Sequence, residues 1–473
     1  MLLRLMLPSA KRKHGEVQPH IPLGIFKVRF PFVHYAWEIQ ETIQSLAIFV
    51  TAIAAIAFIQ DNFYVTFTVA LGITIFHDMM YCLHQLFGDI PLCGWITPSI
   101  PLTVAFLQGF DYVGDRMDAM IAVGFMVALI FLVLGISGLG HKMATAVPNC
   151  IKAGILIGAG ILAVAGTHGF SLAATTTGLA GIPWSWSAGV GASLFILFAR
   201  GFKQMKASGD FRFANILGKA GFIPALAFGG IVGVLAGEIR WANLEPIEGA
   251  AFFVNPFPAW GWTLENFSMI GRGFPPLAMF GGAAVVALMA YTIAYGDIIL
   301  AAKTIEEAQK ARPDEKLDHD INRSHIIVGF RNTMQFLFNP MITLSGPLWA
   351  GPQIAVTERY KSSTSMHSLI GGTGTFNIVK LICLLIAPLI MLVQPLMPLA
   401  MALTMMIAGF ACFYMGLSLC ATDQDRGIAG LMGVAIFARG PFWGLVIGFI
   451  VTVIVNYIGY SRRKAAEEEK KNA

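Results

Sequence analysis

Apolar residues come in long runs along the chain, and polar residues fall mainly in the gaps between them. A bilayer crossing takes about 20 residues. Runs that read as crossings lie at 37–59, 64–83, 117–137, 145–166, 186–200, 219–238, 275–301, 323–341, 367–392, 397–416, 427–438 and 440–460. Two more, 92–110 and 343–356, carry Gly and Pro inside them and read as half extended, half helical. Irregular backbone of that kind is tolerated within lipid only where it lines a protein cavity. The pattern predicts an all-α polytopic membrane protein of about fourteen spans.

Composition agrees: 56% of the residues are hydrophobic and only 12% charged, where soluble domains carry about 25% charged. The bilayer is therefore the first partner. The net charge of +5 gathers in connecting segments and implies no nucleic acid. Lys11, Arg12 and Lys13 in the N-terminal arm, the cations of 200–219 and 303–323, and Arg462, Arg463 and Lys464 in the tail all fall on one side of a fourteen-span topology. By the positive-inside rule both termini are cytoplasmic, in a bacterial inner (plasma) membrane. The arm is followed by polar, Pro-containing sequence, which argues against a cleaved signal peptide. Six scattered cysteines show no pairing or metal-ligand spacing and read as small buried hydrophobes.

The broken runs share a pattern: W-I-T-P-S-I at 95–100 and W-A-G-P-Q-I at 349–354. Proline lacks an N–H and fixes its φ, which suits the first turn of a helix. Pro98 and Pro352 thus each mark where an extended stretch turns helical, leaving free N–H groups and a positive dipole end inside the membrane. Two such stubs, in the third and tenth spans, would form an anion-friendly pocket. The bland alternative is chance, since only three of six positions agree. Trp95, Thr97, Pro98, Ser99, Ile100, Trp349, Gly351, Pro352 and Gln353 are the candidate substrate-binding residues. The tryptophans either stack on a ligand or pack the crossing strands.

Span order then resembles the superfamily that joins nucleobase and ascorbate permeases with sulfate permeases and anion exchangers. E-T-I-Q-S-L-A-I-F-V at 41–50 is similar to the first-span pattern of nucleobase permeases, with Gln44 on its glutamine, which makes Gln44 a further substrate-binding candidate. The run 134–158, with Pro148, Gly154 and Gly158, resembles the fourth-to-fifth span junction. A-Y-G-D at 294–297 and I-N-R-S-H-I-I-V-G-F-R-N at 321–332 resemble the eighth- and ninth-span motifs. The resemblance implies a 7+7 inverted repeat, with spans 1–4 and 8–11 as a core and 5–7 and 12–14 as a gate, often in a homodimer. On that basis 1–36 is a cytoplasmic arm, 37–238 the first repeat and 239–274 an extracytoplasmic loop. The second repeat is 275–460, and 461–473 is a charged tail. The departures matter: Ile293 stands where nucleobase permeases place a glutamate, and Pro352 or Gln353 where they grip the base. Sulfate permeases usually add a cytoplasmic regulatory domain after the last span, and none is expected here; no Arg sits at the tenth-span site.

A mid-span carboxylate is costly and is a functional candidate by default. Asp297 lies in apolar sequence from Ala283 to Ala302; it either binds a coupling sodium or proton, or caps a broken helix. Glu41, one helical turn from Gln44, is a second ion-coupling candidate, whereas Glu38 and Asp78 read as solvated span ends. His77, His84 and His325 read as satisfied structural histidines, and Arg331 needs a partner that sequence does not name. No Walker loop, metal cluster or catalytic group stands out, so no enzyme, cofactor or bound metal is expected beyond the coupling ion. The expectation is an ion-coupled secondary transporter importing a small polar or anionic organic solute. The alternative is an inorganic anion permease or exchanger, with a channel or membrane enzyme further off.

Overall fold

The computed structural model describes residues 10–166, 182–208, 223–242, 244–362 and 365–457. The expected uncharged loop at 167–185, the cationic loop at 200–219 and the tail at 461–473 lie largely or wholly outside these residues. Helices dominate. Among the described residues four helices are long and apolar enough to span a membrane: Ile39–Phe63, Val113–Ser137, Leu277–Ala311 and Ala387–Leu419. Shorter apolar helices, including Asn149–Ala165, Ile223–Leu235 and Leu369–Leu384, fill the positions of the other predicted runs.

Deviations from the expected boundaries have local causes. The first span is interrupted after Ile48, and Tyr64 ends it in the left-handed region with φ 52°. The run 367–392 splits into Leu369–Leu384 and Ala387–Val393. Pro388 disfavours helical continuation into it, and the break is filled by Phe252–Val254: Val254 N–H donates to Leu385 O at 2.9 Å and Ala387 N–H to Phe252 O at 2.9 Å. The 239–274 segment is thus no bare loop, and it also holds helices Phe257–Asn266 and Met269–Arg272.

The charged 303–323 connector is less solvated than its composition predicts. Helix Leu277–Ala311 runs through much of it, and Arg312 and Glu315 beyond it are buried. They receive the N-terminal arm, where Arg12 reaches Asp314 at 2.9 Å. The arm's hairpin, β1 (Ile21–Leu23) and β2 (Phe26–Val28), is bonded to the end of helix Phe67–Leu86, Arg29 N–H donating to Leu86 O at 2.9 Å.

The two interrupted spans meet. The third runs β3 (Gly94–Trp95), a 3₁₀ turn at Thr97–Ser99, then helix Ile100–Leu107. The tenth runs β4 (Ser345–Gly346), then helix Ala350–Ser362. β3 and β4 pair antiparallel, Gly94 opposite Gly346 and Trp95 opposite Ser345. Each strand stills the backbone groups that lipid would otherwise leave unsatisfied.

Candidate substrate site

Glycine makes the crossing possible. A Cβ on Gly94 would lie 2.8 Å from Trp349 Cβ, and one on Gly346 would lie 2.9 Å from the carbonyl carbon of Trp95. The ninth span holds β4 from behind. Asn332 donates to Ser345 O and accepts from Ser345 N–H, both at 3.1 Å, while Arg331 donates to Gly346 O at 2.9 Å. Arg331 thereby finds the partners sequence left open: the strand carbonyl, His84 Nε2 at 2.9 Å and the Tyr81 ring at 4.6 Å. His84 passes the contact to Asp89, 2.8 Å from its Nδ1, a structural use of that histidine. His77 likewise pairs with Gln335 and Tyr81.

Beyond the strands both chains turn helical, at Thr97 and at Ala350, with Pro98 and Pro352 in the first turn of each. The N–H groups of Thr97, Ala350 and Gly351 precede any intrahelical acceptor. Both stubs open onto one cavity of about 770 Å³. Trp95, Thr97, Pro98, Trp349 and Gly351 line it, as does Asp297. Another wall is made by Lys152 and Leu156 of helix Asn149–Ala165 and by Thr404, Ala408, Cys412 and Leu419 among the residues of helix Met397–Leu419. Asp297 makes no ion pair or hydrogen bond among the described residues, so its carboxylate caps neither broken helix.

Other candidates are used differently. Gln353 is buried and accepts from Leu92 N–H at 2.6 Å while donating to Thr357 at 3.0 Å, stapling the tenth span to the third. Ser99 donates back to Ile96 O at 2.7 Å, and Ile100 is core. Pro352 is buried in the first turn of its helix. Gln44 is half-buried away from the cavity; the first span instead presents Thr51 and Ala52, just past its interruption. Glu41 is buried against Arg359, which also takes Glu38 at 2.8 Å. Neither acid is a solvated span end, and Glu41 stands apart from Asp297 in a closed ion pair.

The residue that sequence reasoning missed is Lys380. It projects from helix Leu369–Leu384 into the cavity wall, its ammonium 2.6 Å from Asp78 Oδ1, 3.8 Å from the Tyr81 ring centroid and 5.2 Å from that of Trp349. Asp78, expected as a solvated span end, is fully buried behind it. The mid-span charge rule that picked out Asp297 applies equally to Lys380.

No protein-family model and no curated protein sequence matches the chain. Solved structures do. The chain is similar to SLC26A9 with a TM-score of 0.51 at 13% identity, over 88% of this chain and 64% of that one. It is also similar to the transmembrane domain of a cyanobacterium bicarbonate transporter, BicA, with a TM-score of 0.49 at 17% identity, over 88% and 98% of the two chains. For murine Slc26a9, an anion transporter in the inward-facing state, the values are 0.47, 15%, 89% and 68%. The SLC26A9 likeness shows the fold, a polytopic all-α domain with two interrupted spans that cross.

Proposed function

We propose that the protein is a secondary transporter of a small inorganic anion, held between the N-termini of the two half-helices. One observation carries this reading: both stubs start at the same cavity, from strands that cross and pair. Free N–H groups and two positive dipole ends on one volume suit an anion. The alternative reading of the sequence is thus preferred to the organic-solute one. Gln353, the position that would read a base edge, is occupied with Leu92 N–H and Thr357.

In this reading the strand pair and half-helices move as one body with helix Leu277–Ala311. The wall formed by Asn149–Ala165 and Met397–Leu419 is the surface it slides against, so that the anion is exposed to each side in turn. Asp297, unpartnered on the same cavity, is the proposed seat of a coupling cation. Thermal stabilisation of the purified protein tests the reading, because a ligand raises stability with the logarithm of its concentration over Kd. Nitrate, bicarbonate, chloride or sulfate should raise the melting temperature. Stabilisation by nucleobases or neutral solutes alone would overturn it.

A further inference from the structure

A buried ion pair is a poor way to gain stability, because desolvating two charges costs about as much as their attraction returns. The Asp78–Lys380 pair is nevertheless kept on the cavity wall, its side chains 0% and 3% exposed. We propose that this pair sets the valence of the transported anion at one. The assignment rests on the anion reading above and names its substrate class.

The charges around the cavity lead there. Lys380 is cancelled by Asp78. Arg331, over the same Tyr81 ring, is turned away to Gly346 O and His84, with Asp89 beyond the imidazole to answer its charge. While no cation sits on Asp297, Lys152 and Asp297 line the cavity with opposite signs and offset each other. What remains uncancelled is the two half-helix N-termini, each about half a positive charge. Together they match a single negative charge and leave a dianion half answered. Asp78 is the lever: it sits behind Lys380, outside the cavity lining, and changes the field without contacting the ligand.

The test is competition between nitrate and sulfate, two oxyanions of different charge, for the purified full-length protein. Wild type should bind nitrate more tightly. Asp78→Asn frees the charge of Lys380 and should move the nitrate-to-sulfate affinity ratio toward sulfate by about tenfold or more, the effect of one unit charge within about 12 Å of the anion in a protein of effective dielectric near 20. Lys380→Gln leaves Asp78 unanswered and should weaken both anions about tenfold or more. Asp78→Asn combined with Lys380→Gln should regain part of the lost nitrate affinity. If Asp78→Asn does not fold, Lys380→Gln against the double variant decides, and equal binding by those two overturns the assignment. So does a wild type that prefers sulfate, or a folded Asp78→Asn with an unchanged ratio. A wild type that binds neither anion overturns the anion reading itself, and this assignment with it.

Discussion

Gly94→Ala is the sharpest perturbation of the strand crossing. The added Cβ would lie 2.8 Å from Trp349 Cβ, 3.1 Å from Trp349 Cα and 3.1 Å from Leu348 O. Two of those three atoms are backbone, one and two residues ahead of the tenth-span helix that starts at Ala350, so relief requires the half-helix to move. Overpacking of this kind costs about 1–3 kcal/mol. If that cost falls on the binding-competent arrangement, anion affinity drops by about 5- to 150-fold. The rest of the helical packing is untouched, so the variant should still fold. The assay is anion titration by calorimetry or melting shift, beside Gly430→Ala as a control. A Cβ on Gly430, in helix Asp423–Arg439 away from the cavity, meets no heavy atom within 4 Å, so that variant should melt and bind with the wild type. Wild-type affinity in Gly94→Ala would refute the argument that the crossing positions the site.

Further outcomes follow from the other charged groups. Arg359→Met leaves Glu41 and Glu38 buried without their cation, and should cost about 3–5 kcal/mol of stability. Adding Glu41→Gln should recover much of it, read as melting temperature in detergent. Asp297→Asn should fold normally and lose the cation dependence of anion uptake into proteoliposomes; unchanged dependence would remove Asp297 from coupling. Where the arm docks on the 303–323 connector, a hydrogen bond from Arg312, with the charge of Arg12 nearby, holds Asp314 down at about 2 against an ordinary 3.8. A depressed carboxyl contributes stability that is present above its unfolded value and lost as pH falls toward the folded one. Arm residues 10–36 should therefore lose protection from proteolysis or hydrogen exchange between about pH 4 and pH 2, and Asp314→Asn should show that looser state already at neutral pH.

Much of the fold was legible because lipid imposes long apolar runs and punishes irregular backbone. The Trp-Pro repeat located both half-helices on that ground alone. The site was legible only in part. Thr97, Gly351 and Asp297 reach the cavity, but whether Gln353 faces a ligand or a neighbouring strand depends on Leu92 N–H, contributed by the other half of the chain. Asp78 looked like a span end because its counter-ion, Lys380, also lies in the other half. Glu41 was misread for the same reason, since Arg359 arrives from the far end of the tenth-span helix. Hydropathy reports depth along one span; it is silent on which spans meet.

The central claim, an anion seated between two helix N-termini, is tested most directly by an anomalous difference map from crystals grown in bromide. The account predicts a peak in the cavity within about 3.5 Å of the N–H groups of Thr97 and of Ala350 or Gly351, a hydrogen-bonding distance for a large anion. A saturating bromide soak that leaves that volume empty, or places the ion away from both stubs, contradicts it.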